Sequence, residues 1–184
     1  MSSVKKVCIC SFCAAMCYVL PISFHALALG RAFSPMHIPV LLCGLICGWP
    51  YGALCGIVGP VISSLTGMPP AVQLIHMVPE LCAYGFFAGL LMQKVRTGRM
   101  LADVYLSLLP AMLLGRIVGG LAQALFYLAS AQSWSAALWV SAYFVQTLPG
   151  AVLHLFLVPA LVLVLVKARL IPERYPSRGR MQSA

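Results

Sequence analysis

The chain has 184 residues, 62% of them hydrophobic and 8% charged, against about 45–50% apolar and about 25% charged in an ordinary soluble domain. A water-soluble globule is excluded: 62% of 184 residues is about 114, enough for about six membrane-spanning helices at roughly 20 residues each, and no room is left for a catalytic or ATP-binding lobe. Twelve Lys and Arg against three acids give a net charge of +9, which in a membrane chain is an orientation signal and not a nucleic-acid-binding surface.

Uncharged runs and chain breakers predict the elements in order. Lys5 and Lys6 precede an uncharged run from Val7 to Gly30 that is longer than the apolar region of a signal peptide, so the first span is expected over 7–29. The uncharged stretch Ala32 to Pro79 is interrupted at Gly48-Trp49-Pro50 and at Thr66-Gly67-Met68-Pro69-Pro70, both strong turn signals. These give spans at 36–48, 50–66 and 70–93. After the basic loop Lys94 to Arg99, a fifth span is expected over 101–128, and the Ser-, Ala- and Gln-rich stretch 129–136 separates it from a sixth over 138–167.

With six spans and both termini inside, cytoplasmic segments hold Lys5, Lys6, Lys94, Arg96, Arg99, Lys167, Arg169, Arg174, Arg178 and Arg180, ten of the twelve basic residues. Arg31 lies outside and Arg116 within span 5. A single crossing over 36–66 would put the Lys94–Arg99 loop outside, against the positive-inside tendency. The expected fold is therefore an all-α integral membrane bundle of six transmembrane helices, with residues 1–170 as the bundle and 171–184 as a basic cytoplasmic tail.

Glycines 44, 48, 52 and 56 recur every fourth residue, a spacing that lets helix backbones approach closely in lipid. Each span carries a proline: Pro21, Pro39, Pro60, Pro79, Pro110, and both Pro149 and Pro159. Broken helices are tolerated where freed carbonyls face protein or a cavity, which favours a solute-binding bundle over a rigid anchor. All eight cysteines fall between Cys8 and Cys82. Cys10, Cys13 and Cys17 share one helical face and Cys43 and Cys47 another, so they read as free packing thiols. The lone C-x-x-C pair lacks the second pair a zinc site needs, and no metal or cofactor is expected.

An ionisable residue in hydrocarbon costs at least about 2.5–3.5 kcal/mol for a charged form and is a functional candidate by default. Glu80 lies 14 residues before Lys94, Arg116 lies 13 after Asp103, and His154 lies 13 before Lys167, each about 20 Å along its helix. An acid, a base and an imidazole from three spans thus share one depth. Glu80 and Arg116 either neutralise each other and lock the bundle or meet a solute. His154 alone is more often a satisfied packing residue than a ligand. Pro79 leaves the carbonyl of Ile75 without its helical donor beside Glu80; His76 is one turn away, and Gln73, Gln123 and Gln146 lie toward the outer end. Trp134, Trp139, Tyr143 and Phe144 lie there too, as an interfacial belt or as rings to stack on a flat solute.

The segment Pro35-Met36-His37-Ile38-Pro39, with Gly44, Gly48-Trp49-Pro50-Tyr51-Gly52, Gly56, Pro60, Ser63-Ser64, Thr66 and Pro69-Pro70, resembles the second and third helices of the substrate-binding S components of energy-coupling factor (ECF) vitamin transporters. The likeness is closest over 33–93, and the six-span layout extends it over nearly the whole chain. It implies a subunit in a bacterial plasma membrane that captures a vitamin or vitamin precursor from outside, beneath the loop between spans 1 and 2. The subunit would then dock on a transmembrane T subunit driven by two ATP-binding subunits and topple to release its cargo inward. The lack of G-x-x-x-x-G-K-[ST] fits that division of labour.

On this resemblance the substrate-binding candidates are Arg31, His37, His76, Glu80, Tyr84, Arg116, Gln123, Gln146 and His154. Many S components dock on the T subunit through A-x-x-x-A in helix 1. Here the nearest matches are Cys10/Ala14, Ser11/Ala15 and Cys13/Cys17, making Cys10, Ser11, Ala14, Ala15 and Cys17 the docking candidates. Two other readings remain at this stage. A stand-alone secondary carrier is disfavoured because no internal repeat joins the two halves. An intramembrane enzyme built on His76 and Glu80 lacks both H-E-x-x-H and G-x-S-x-G. Pantothenate, riboflavin, a pyridoxine-type ring, a folate and a queuosine precursor are not distinguished by these residues.

Overall fold

A computed structural model describes residues 1–26, 33–65, 69–130, 135–172 and 174–175. Helix α1 is Ser3–Ala26, α2 is His37–Cys47, α3 is Trp49–Ser64, α4 is Ala71–Lys94 and α5 is Met100–Ala129. A short α6, Ala136–Val140, passes through a π-helical turn, Ser141–Val145, into α7, Leu148–Lys167. The described residues contain helices and no strands.

Among the described residues four segments are long and apolar enough to cross a membrane: Ser3–Phe24, Val72–Lys94, Met100–Ala129 and Tyr143–Lys167. The expected spans 2 and 3 are there, within a residue or two of their predicted limits, but α2 has 11 residues and α3 has 16. At 1.5 Å per residue these reach about 17 and 24 Å, short of a hydrocarbon core about 30 Å thick. The expected span 6 is not one continuous helix either. Its first third is held apart as α6 and the π turn, and Thr147 stands between that turn and α7.

Gly48, at φ +96°, makes the turn between α2 and α3 in a backbone region open to glycine at little cost. The two helices fold back on each other and pack against α4 at backbone distance. A Cβ on Gly44 would lie 2.5 Å from the carbonyl oxygen of Gly85, Gly52 meets the same Gly85 carbonyl, and a Cβ on Gly56 would press on the Leu81 backbone. The four-residue glycine spacing therefore does serve helix packing. Gly85→Ala is expected to force this contact open and lower stability by about 1–3 kcal/mol, measured by thermal unfolding in detergent; an unchanged midpoint would show that α3 and α4 can part without loss.

Small thiols fill the seam between α1 and the α2–α3 pair. Cys10, Cys13, Cys17, Cys43, Cys47 and Cys55 are buried and all eight cysteines are unpaired. The thiols of Cys10 and Cys43 each donate to the Tyr51 carbonyl at 3.5 Å, and that of Cys17 to Met36 at 3.8 Å.

Contacts between chain ends and turns collect at one end of the bundle. The Cys47 thiol meets the Lys6 carbonyl, Gly48 abuts the Gln93 side chain, and Arg174 donates to the Val95 carbonyl. Asp103, fully buried, accepts from the Thr97 amide and hydroxyl at 2.7 Å each, from the Tyr175 hydroxyl at 2.7 Å and from Arg174 Nε at 3.0 Å. The first residues beyond α7 are thus packed onto the bundle, with Ile171 also buried. Lys5, Lys6, Lys94, Arg96, Arg99 and Arg174 all belong to the segments meeting here.

Candidate functional site

The polar residues gather about 20 Å from this basic end. His37 opens α2, and because α2 begins part-way along the bundle, its first residue reaches the depth of Glu80 on α4 and His154 on α7. His37 Nε2 faces Glu80 Oε1 at 3.5 Å, while its Nδ1 donates to the Ser34 carbonyl at 3.1 Å. The Tyr84 ring meets the His37 ring edge-on, with centroids 4.7 Å apart, and the His154 ring stacks on it at 5.7 Å. His37, Glu80, Tyr84 and His154 are all buried.

Glycines on α5 make room for this group. A Cβ on Gly115 would lie 2.8 Å from the Tyr84 ring and one on Gly119 2.9 Å from the Glu80 side chain, and Gly120 is filled by the Trp139 indole. Any larger residue would push the polar side chains of α4 off α5.

Arg116 projects from the same face, half-buried. It does not pair with Glu80; the residue facing the acid is His37. The guanidinium instead donates to the Thr147 hydroxyl at 3.2 Å, and that hydroxyl donates to the Tyr143 carbonyl at 2.6 Å. The Phe144 ring covers the guanidinium at 5.3 Å, with Trp139 edge-on to Phe144 at 5.5 Å. Tyr143 in turn shares a 3.2 Å hydrogen bond with His76 Nδ1. The π turn supplies Tyr143 and Phe144 because its extra residue per turn re-aims the side chains, a distortion frequent at functional sites.

Among the described residues two buried polar atoms in this layer have no hydrogen-bond partner: Trp139 Nε1 and His154 Nε2. An unmet buried donor or acceptor costs about 1–3 kcal/mol.

Of the expected substrate-binding residues, the structure brings together His37, His76, Glu80, Tyr84, Arg116 and His154. Gln123 is half-buried two turns beyond Arg116 and Gln146 is exposed. Arg31, like Trp134, lies outside the described residues. Sequence reasoning did not find Thr147, the three α5 glycines or the unmet Trp139 donor. The glycines were visible as Gly115-Arg116-x-x-Gly119-Gly120, a set of small residues flanking a buried charge.

The expected docking residues on α1 divide. Cys10, Ala14 and Cys17 face the bundle and are buried, whereas Ser11 and Ala15 are exposed on the opposite face. Phe12, Val4, Val7 and Val19 are exposed with them.

No curated protein and no solved structure matches the chain. Residues 5–162, from the basic N-terminal turn to well into α7, match the family described as ECF transporter, substrate-specific component. With a membrane-spanning helical bundle built around a shared polar layer, the chain belongs to the family of substrate-specific components of ECF transporters.

Proposed function

We propose that the protein is the subunit of an ATP-driven importer in a bacterial plasma membrane that captures a vitamin or vitamin precursor from outside. A transmembrane T subunit and two ATP-binding subunits then drive its delivery inward. The observation that carries this reading is the convergence of ionisable side chains from α2, α4, α5 and α7 on one buried layer, where lipid would make each of them costly. The solute site comprises His37, His76, Glu80, Tyr84, Arg116 and His154, with Gln123 and Gln146 toward the outer face and Arg31 as a further candidate. The T subunit meets the outward face of α1 at Ser11 and Ala15, a small-x-x-x-small pair that admits a close helix.

Both termini are cytoplasmic in this reading, with six crossings. The gathering of Lys6, the α2–α3 turn, the α4–α5 loop and the residue 174–175 segment at one basic end supports it, since positive residues favour the cytoplasmic side. Single cysteines at positions 97 and 175, in a background without the native thiols, are expected to label only from inside, and those at 68 and 132 only from outside. External labelling at 97 would overturn the six-crossing topology.

The importer itself is tested by reconstitution. The purified chain is expected to bind its solute in detergent with the same affinity with and without ATP. Vesicles are expected to accumulate the solute only when the T and ATP-binding subunits are present. Accumulation by vesicles holding this chain alone would identify a stand-alone carrier instead.

A further inference from the structure

We infer that the solute is a small organic anion, its carboxylate or phosphate held by Arg116, with at least one further hydrogen-bond acceptor on its body. The inference rests on the reading of the polar layer as the solute site. The chain has three acids. Asp103 is bound by Arg174 at the basic end, 13 residues and about 20 Å along α5 from Arg116. Glu80 faces His37. Glu173 lies outside the described residues. Among the described residues Arg116 therefore has no carboxylate partner.

Its direct contacts are neutral: the Thr147 hydroxyl, the Phe144 ring and the Tyr84 hydroxyl beside it. A guanidinium keeps its charge and offers five N–H donors in a planar fork, of which two hydroxyls engage a minority. Carboxylate and phosphate match the remainder by parallel charge-assisted bonds.

One ring further on, Trp139 Nε1 is a buried donor with no partner, linked to the guanidinium through Phe144. An indole N–H can only donate, so it calls for an acceptor on the solute. His154 Nε2, on a side chain 3% exposed and also unmet, supplies a third polar contact on the other side of the layer. An anion with an acceptor on its body suits the guanidinium and the indole donor. A cationic solute would bring like charge to Arg116, and a hydrocarbon would leave the indole and imidazole nitrogens unmet.

Thermal unfolding of the full chain in detergent at pH 7 and fixed ionic strength tests this with acetate, inorganic phosphate and the neutral isostere acetamide, each at tens of millimolar. Acetate or phosphate is expected to raise the midpoint by about 2 °C or more, as binding to the folded state alone requires, and acetamide by much less. Arg116→Met is expected to abolish the anion response and Arg116→Lys to keep part of it. Equal shifts with acetate and acetamide, no shift with either anion, or an undiminished response in Arg116→Met would overturn the inference. The contrast in the parent protein decides the matter even if Arg116→Met does not fold. Co-purification with the T and ATP-binding subunits separates this from the importer reading: a parent that assembles with them yet ignores the anions refutes the substrate class alone, and a parent that fails to assemble refutes the importer.

Discussion

Asp103→Ala is expected to lower the unfolding free energy by about 3–5 kcal/mol, the cost typical of breaking a buried ion pair. The carboxylate is 0% exposed and gathers four donors from two separate segments: the loop after α4 through Thr97, and the residues beyond α7 through Arg174 and Tyr175. Hydrogen bonds to a charged group contribute about 1.5–3 kcal/mol each, and they are not additive when they share one acceptor. Asp103→Asn keeps the volume but not the charge and should fall between parent and alanine. Because Asp103 is about 20 Å from the polar layer along α5, solute affinity of the folded fraction should stay within about twofold. The measurement is denaturant unfolding followed by helicity, with hydrogen exchange at residues 94–99 as the local readout. A loss under about 1 kcal/mol, or unchanged protection of that loop, would show that helix packing alone holds the end of the bundle together.

How far the sequence foretold this arrangement depends on whether a feature is written in adjacent residues or in distant ones. The boundaries of α2, α3 and α4 were legible because Gly48-Trp49-Pro50 and the Pro69-Pro70 pair are backbone chemistry, fixed by missing donors and permitted φ angles. Glu80, Arg116 and His154 stood out because a titratable group in an apolar run has few neutral explanations. Their pairing was not legible: two ionisable groups at one depth suggest each other, but the helix rotation that turned Glu80 toward His37 and Arg116 toward Thr147 is decided by packing. His37 could not be put at that depth from sequence, since it opens a helix whose short length appears only in three dimensions. The break in the sixth segment escaped for a related reason. Ser141–Val145 has no glycine or proline, and a π turn there is stabilised by what Tyr143 and Thr147 reach on α4 and α5. On α1, four-residue spacing identified two candidate faces but could not tell which one turned inward.

The His37–Glu80 pair carries the largest expected effect on binding. His37→Phe and Glu80→Met, made singly, each leave a buried polar partner without its counterpart: the Glu80 carboxyl group at 8% exposure in the first case and the His37 Nε2 in the second. Each should lower stability by about 3 kcal/mol or more. Made together, they exchange the pair for apolar side chains of similar size, and much of that stability should return, because Tyr84 and His154 can still pack on the ring at position 37. Solute binding should not return. A site that orients its ligand through a few buried polar groups loses them in the double variant as fully as in the singles, and a loss of about 100-fold or more corresponds to roughly 3 kcal/mol of missing contact. The two readouts are the unfolding midpoint of each variant and titration of the solute identified by mass spectrometry of the purified protein. A stable double variant that binds like the parent would reduce His37 and Glu80 to a structural lock, leaving the Arg116 side of the layer as the solute site. A double variant no more stable than the singles would instead mean that the pair is held by further polar contacts, and that its removal costs the bundle more than the charge pairing alone.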